Sequence, residues 1–266
     1  MATASYAVDP TDPRAPPQEV WDRLTDAERR QVLASLPSDS PRAAPPEGDQ
    51  HRIPKNRALE ALDEYYRRIR RRVYLSAELP VYYPDESMFA PDLLAVCDVE
   101  LHPRASWVVS QECRGLDFIL EIHVSGSAAK DFETNVERYA RLGVPEYFAF
   151  DPIRRRVLGW RLPETGAKTY APIIPQAGRW ASAILELDLA IDDDGRLRFY
   201  HGTAALLDAR ELIDRLSGMV DEAVRRAEEE ARRAEEEARR AEEEAQRADR
   251  LAAKLRELGV DPDSVE

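Results

Sequence analysis

Two acidic residues on apolar segments are the features of this chain that could carry out chemistry. Asp92 opens the run Pro91-Asp-Leu-Leu-Ala-Val, and Glu121 lies near the end of Leu116-Asp-Phe-Ile-Leu-Glu-Ile-His. A carboxylate on a buried strand is costly unless it is paired, hydrogen-bonded or bound to a metal. Two carboxylates can hold Mg²⁺, a hard cation that accepts few protein oxygens and keeps several waters. The pair therefore indicates a metal site, although Asp92 also fits a simple turn cap.

A site of this kind favours hydrolysis of a phosphodiester. A bound divalent metal polarises the phosphate and lowers the pKa of a bound water, which then attacks phosphorus in line. The backbone carbonyl of Ile122, next to Glu121, could supply a further metal ligand. A nearby positive side chain usually orients the water or stabilises the charge of the transition state. Acids on neighbouring strands are common, so this pattern by itself is weakly specific.

The elements that must position these residues follow from hydrophobic periodicity and turn signals. Helices are predicted over 17–36, 53–72 and 128–142. Leu59, Leu62 and Tyr66 contribute to the apolar stripe of the second, and the third has Ser127 as its expected cap and Gly143 as its expected stop. Strands are predicted over 73–83, 92–99, 117–124, 146–151, 156–160, 168–174, 181–191 and 196–200, with a hairpin turn over 192–195.

A seven-residue repeat, Ala-Arg-Arg-Ala-Glu-Glu-Glu, dominates the chain between residues 224 and 244. Its alanines alternate by three and four positions, which is the seam spacing of a coiled coil. Two interpretations stay open: self-association through residues 220–258, or a single charged helix held by Glu–Arg pairs at i,i+3 and i,i+4.

Three segments are therefore expected. Residues 1–47 form a proline-rich N-terminal segment with a short helix, 48–203 form an α/β domain, and 204–266 form a long charged helix. The domain is expected to contain a mixed central sheet flanked by helices.

Composition limits the possible partners. A net charge of −13 argues against broad attraction to nucleic acid, so DNA binding would need a metal or local basic clusters such as those within 67–72 and 154–156. Both clusters also fit ordinary solvated surfaces. No apolar run has the length of a membrane span, and two cysteines make neither a disulfide framework nor a complete zinc site. We expect a cytoplasmic protein without a membrane partner.

Several runs, taken in order, resemble one known family. They are His51 before a long helix, Glu78-Leu-Pro-Val, Ala90-Pro-Asp-Leu, Phe118-Ile-Leu-Glu-Ile-His-Val-Ser, Asp131, and Tyr139-Ala-Arg-Leu-Gly-Val-Pro-Glu-Tyr-Phe-Ala-Phe-Asp-Pro. Together they resemble the Uma-type putative restriction endonuclease family, a branch of the PD-(D/E)XK nuclease superfamily. The resemblance implies a restriction-endonuclease-like fold, Asp92 and Glu121 as metal carboxylates, Mg²⁺ or Mn²⁺ as cofactor, and DNA as substrate.

The chain departs from the pattern of that family at the lysine. The lysine of the superfamily pattern falls at His123, and the place where the Uma-type family usually has it is Asn135, four residues after Asp131. Asparagine can hydrogen-bond a water but supplies no positive charge. A protonated His123 could substitute, and Lys130 or Arg138 could reach in. His51 could contact a phosphate or metal, and Glu78 could assist metal binding, although each also fits an ordinary surface position.

Three functional hypotheses follow from these residues. The first is a Mg²⁺-dependent endonuclease of DNA, with Asp92 and Glu121 as metal ligands and His123 and Asn135 in the catalytic site. The second is a nuclease fold without activity that binds or scaffolds and self-associates through its C-terminal helix. The third is a coiled-coil assembly protein whose folded body is an anchor. The sequence leaves open whether the protein is an enzyme.

Overall fold

A computed structural model of the chain describes residues 6–37, 48–124 and 130–258. The helices are α1 (Gln18–Trp21), α2 (Asp26–Ser35), α3 (Asp49–Ile69), α4 (Val109–Glu112), α5 (Asn135–Leu142) and α6 (Ala209–Glu257), and Lys130–Thr134 is π-helical. The strands are β1 (Val73–Ser76), β2 (Val81–Tyr83), β3 (Glu86–Phe89), β4 (Leu93–Cys97), β5 (Trp107–Val108), β6 (Phe118–Ile122), β7 (Glu146–Asp151), β8 (Arg156–Arg161), β9 (Ala171–Pro172), β10 (Arg179–Ser182), β11 (Leu187–Ile191), β12 (Leu197–His201) and β13 (Ala204–Ala205).

The central sheet contains six strands in the order β1-β4-β6-β7-β8-β9. Only the β6–β7 pair is parallel, and the other neighbours are antiparallel. Parallel neighbours need a crossover connection, and α5 lies in the segment that joins β6 to β7. This is the mixed α/β sheet flanked by helices that the sequence predicts.

Both faces of the central sheet are covered. Leu93 and Ala95 of β4 share a buried cluster with Leu62 of α3, while Leu94 of the same strand shares a second cluster with Tyr139 of α5. Successive strand residues point to opposite faces, so a strand buried on both sides is a continuous apolar run. This explains why β4 and β6 show no polar alternation in the sequence.

Two smaller sheets accompany the central one, and they correct two of the predicted strands. The segment 73–83 forms β1 and β2, and β2 joins a three-stranded sheet ordered β3-β2-β5. The segment 181–191 contains a reversal, because Ser182 ends β10 and Leu187 begins β11 of a four-stranded sheet. Glu186, just before β11, adopts the left-handed conformation at φ 57°. The hairpin turn after β11 is confirmed, with Gly195 donating from its backbone to the Asp192 carbonyl at 2.9 Å.

The reversal after β10 is fixed by a buried acid on the central sheet. Glu146, at the start of β7, is fully buried and accepts hydrogen bonds from Arg161 Nε at 2.6 Å, the Ser182 hydroxyl and the Ala183 amide at 2.8 Å. These bonds satisfy a carboxylate that would otherwise be costly to bury. The Gly-Val-Pro-Glu-Tyr run is therefore, at its glutamate, a structural anchor.

The described part of the N-terminal segment packs onto the rest of the first unit. Ala15 is fully buried and its amide donates to the Tyr83 carbonyl at 3.2 Å. The single helix predicted over 17–36 is instead α1 and α2, because Thr25 begins a new helix through a capping box with Glu28. The segment is thus part of the fold.

The two helices nearest the central sheet differ slightly from their predicted bounds. α3 begins at Asp49, ahead of the predicted start, and ends where Arg70 adopts the left-handed conformation. α5 ends at Gly143, as predicted, with φ 80° at that glycine. The predicted beginning of this helix at 128, with its cap at Ser127, lies outside the described residues.

The chain divides into two compact units, residues 1–209 and 210–266. The described part of the second unit is the long helix α6, in which no residue is buried. Among the described residues, no helix combines the length and apolar character that crossing a membrane requires.

Candidate active site

The antiparallel pairing of β4 with β6 brings Asp92 and Glu121 together. Leu93 pairs with Leu120 and Leu94 with Ile119, so the same register continued by one residue sets Asp92 opposite Glu121. Directly opposed residues of an antiparallel pair share one face of the sheet. The backbone amide of Asp92 donates to Glu121 Oε2 at 3.3 Å, and the amide of Ile122 donates to Asp92 Oδ2 at 2.6 Å. The two carboxylates are therefore neighbours on one face.

A histidine from α3 contacts the first carboxylate. His51 Nε2 lies 3.0 Å from Asp92 Oδ2, and the two side chains are 23% and 14% exposed. The first turn of α3 thus lies next to the start of β4. His51 is part of the site and not an ordinary surface residue.

A buried tyrosine from α5 orients the second carboxylate. The Tyr139 hydroxyl donates to Glu121 Oε1 at 2.6 Å. Burial, and next the charge of Glu121, raise the pKa of Tyr139 well above its usual value, so the hydroxyl stays a hydrogen-bond donor. The sequence points to Tyr139 only as one member of the Tyr139-Ala-Arg-Leu-Gly run, and this bond depends on how α5 packs on β6.

A lysine also lies at this end of the sheet, and the sequence analysis does not single it out. Lys55 of α3 is 3% exposed, and its Nζ lies 2.5 Å from Glu78 Oε1. The backbone amide of Glu78 donates to the Pro91 carbonyl at 2.9 Å, one residue before Asp92. A signal was available, because Lys55 lies four residues before Leu59 and so extends the apolar stripe of the helix.

His123 follows directly after the end of β6. It is 4% exposed, and its ring meets the ring of Phe132 edge-on with centroids 5.2 Å apart. The guanidinium of Arg156 lies 4.7 Å from the centre of the same Phe132 ring. Asp151 lies within electrostatic reach of His123.

Two further candidates, Asn135 and Arg138, lie on α5. Asn135 begins α5 and is 3% exposed. The guanidinium of Arg138 donates hydrogen bonds to Glu86 and the Ser87 carbonyl. The side chains of Lys130 and Asp131 fall outside what the structure describes.

The donor set around Asp92 fits a hard divalent cation. Asp92 Oδ2 accepts from Ile122 and contacts His51, whereas its Oδ1 accepts no hydrogen bond from the described part of the chain. In residues 6–37, 48–124 and 130–258, no group of three or more His, Cys, Asp or Glu side chains has metal-binding geometry. A site with two carboxylates suits Mg²⁺, which usually binds through one or two carboxylates and keeps its waters.

One arginine of each basic cluster makes a structural contact. Arg71 donates to the carbonyls of Leu185 and Ile184 at 3.2 and 3.1 Å. Arg154 pairs with the buried Asp151 at 2.9 Å. Neither of these two arginines is thus a simple free surface charge.

A mixed sheet flanked by helices, with two opposed carboxylates at the end of paired strands, defines a restriction-endonuclease-like α/β protein. A family model described as "Uma2: Putative restriction endonuclease" matches residues 20–192. The chain belongs to this Uma2 family, and the resemblance found in the sequence is confirmed. No curated protein matches the chain. Among solved structures, the crystal structure of a putative nuclease belonging to DUF820 from Anabaena variabilis is similar, with 13% identity and a TM-score of 0.44, covering 59% of this chain and 89% of that one.

Proposed function

We propose that this protein is a Mg²⁺-dependent endonuclease that hydrolyses phosphodiester bonds of DNA, with Mn²⁺ as an alternative metal. The observation that carries the proposal is the hydrogen bond from the Asp92 amide to Glu121 Oε2, one residue beyond the Leu93–Leu120 pair of β4 and β6. Membership of a family described as restriction endonucleases supports the same reaction class.

Each residue of the site has a definite task in this proposal. Asp92 and Glu121 would hold the metal, with the Ile122 carbonyl as a further ligand. The metal would act as a Lewis acid on the phosphate and favour deprotonation of the attacking water. Tyr139 fixes the orientation of Glu121, and His51 fixes that of Asp92, as partners of metal ligands commonly do.

The proposal is tested by nicking of a supercoiled plasmid in Mg²⁺ or Mn²⁺. We expect wild type to relax the plasmid, and Asp92→Asn and Glu121→Gln to reduce the rate by at least about 100-fold, because loss of a metal ligand removes several kcal/mol of transition-state stabilisation. Glu100→Ala removes an exposed acid nearby in the chain and should leave the rate unchanged. If both carboxylate variants nick the plasmid at the wild-type rate, another site or a contaminant cuts the DNA.

A second candidate function is a nuclease fold that binds metal without turnover and serves as a scaffold. It is favoured by Asn135 and His123, the two positions at which the family resemblance implies a lysine. This alternative predicts calorimetric metal binding by wild type and no nicking of any DNA. It also predicts that Asn135→Lys creates activity.

A further inference from the structure

Lys55 is an unusual residue for the interior of this protein. A lysine is rarely buried to this degree unless its charge is paired, because removing an ammonium from water is costly. The Lys55 side chain is 4% exposed, while the side chain of its partner Glu78 is 56% exposed. The ammonium is thus sheltered, and the side chain of Glu78, the acid that the described residues place beside it, is more than half exposed, so Glu78 could move away without leaving a buried carboxylate.

Two independent connections hold Lys55 near the carboxylates. The first runs along α3, because Lys55 follows His51 by four residues and side chains at i and i+4 lie on the same helix face. His51 itself contacts Asp92 at 3.0 Å. The second runs through the chain before β4, because Glu78 holds the Lys55 ammonium and its backbone amide bonds to Pro91 at 2.9 Å.

The positive charge of the Lys55 ammonium suits the reaction proposed for this site. Two carboxylates and a phosphodiester concentrate negative charge at one place, and hydrolysis adds charge to the phosphate oxygens as the bond to water forms. A fixed cation at such a position stabilises the transition state more than the ground state. Neither Asn135 nor the engaged Arg138 supplies that cation.

We infer that Lys55 is the catalytic cation of this site, contacting the scissile phosphate of the DNA. Before substrate binds, the ion pair with Glu78 keeps the ammonium in place. When DNA binds, the ammonium exchanges Glu78 for the phosphate. This assignment rests on the proposed endonuclease function. It places the positive charge on α3, whereas the sequence pattern points to β6 or α5.

The test compares plasmid nicking with metal affinity in the full-length protein. Lys55→Met has a similar shape and removes the charge, and we expect its nicking rate to fall by about 10²- to 10³-fold, the usual effect of losing one electrostatic contact to the transition state. Lys55→Arg should recover part of the rate, because guanidinium keeps the charge with different geometry. Lys168→Met is the matched control and should nick like wild type, since Lys168 bonds only to the Arg141 carbonyl among the described residues.

Calorimetric titration with Mn²⁺ separates catalysis from structural support. If Lys55 acts on the phosphate, Lys55→Met binds Mn²⁺ as tightly as wild type or more tightly, because a repelling cation has been removed. Metal affinity that falls together with nicking overturns the inference, because Lys55 would then only maintain the shape of the site. Equal nicking by wild type and Lys55→Met also overturns it while the endonuclease proposal stands. A wild type that nicks no DNA in either metal contradicts the endonuclease proposal itself, and the inference falls with it.

Discussion

The orientation of the two carboxylates depends on single hydrogen bonds from buried neighbours. Tyr139 is one of these neighbours: its hydroxyl is fully buried and donates a hydrogen bond to Glu121. We expect Tyr139→Phe to weaken Mn²⁺ binding by about 10- to 100-fold, the usual effect of losing a partner of a metal ligand. Calorimetric titration measures this directly.

Tyr170→Phe provides the control for that measurement. The Tyr170 side chain is partly buried, and its hydroxyl donates to the Val144 carbonyl at 2.7 Å and not to a candidate ligand. This variant should lose stability and keep its metal affinity. If the two phenylalanine variants bind Mn²⁺ equally well, the bond from Tyr139 to Glu121 has no part in the metal site.

Asp151 provides a residue-level prediction for the pH dependence of stability. Burial opposes its ionisation, but hydrogen bonds from the Arg154 amide and guanidinium, with the charges of Arg154 and His123, lower the pKa of Asp151 below its usual 3.8. A group whose pKa is lower in the folded state stabilises the fold above its unfolded pKa, and this contribution is lost as the pH falls through the folded pKa.

Arg154→Ala should therefore destabilise the protein in a pH-dependent way. We expect the free energy of unfolding in urea to fall by about 1 kcal/mol at pH 7, a modest value because Arg154 is largely exposed. The loss should shrink at pH 3, where Asp151 approaches protonation. A loss that is equal or larger at pH 3 would show that the charge of Asp151 is not what Arg154 stabilises.

The residues of the site could be predicted from the sequence only in part. Asp92 and Glu121 are visible because acids interrupt apolar runs, but their opposition depends on the β4–β6 register, which the side-chain pattern does not give. The contacts of His51 and Tyr139 come from two helices on distant parts of the chain. Such tertiary contacts carry no local signal. Lys55 is the exception, since a charge on an apolar stripe is visible in the sequence itself.

Among the elements, the connection from β10 to β11 depends on Glu146 of β7. Its carboxylate accepts from Arg161, Ser182, Ala183 and Ile184. We expect Glu146→Gln to lower the free energy of unfolding by about 3 kcal/mol, because it removes one partner of a buried ion pair. Chemical denaturation measures this. Glu186→Gln, which alters an exposed ion pair with Arg71, should change stability by less than about 1 kcal/mol.

The same hydrogen bonds of Glu146 explain why the prediction of a single strand over 181–191 is wrong. The segment 181–191 is apolar enough to be one strand, and the reversal within it is set by Glu146, which is some forty residues earlier in the chain. The strands predicted over 146–151 and 156–160 agree with β7 and β8 to within one residue, because their apolar character and turn residues are local. Local signals thus located the central strands and missed a turn that depends on a distant partner.

At the scale of the whole molecule, α6 is the element through which the chain could self-associate. Its heptad repeat gives a seam of alanines, but positions on both sides of that seam are glutamates; Glu228 and Glu230, for example, lie between Ala227 and Ala231. Two copies paired along this seam would oppose glutamate to glutamate, which is unfavourable at low ionic strength. Self-association through residues 220–258 therefore remains a proposal with a distinct salt dependence.

We expect the full chain to be a monomer at low salt and to associate increasingly as salt screens the glutamates. A chain ending at residue 219 should stay monomeric at every salt concentration. Sedimentation equilibrium across a salt series measures both. A dimer that dissociates when salt is added would contradict this register and indicate pairing between opposite charges.

In the proposed site, Asp92 and Glu121 share one divalent ion. This is tested by a crystal grown with Mn²⁺ and measured at the manganese absorption edge. We predict a single anomalous peak bound by carboxylate oxygens of both residues. A peak that contacts only one of them, or that lies elsewhere while this pair stays empty, would contradict the account.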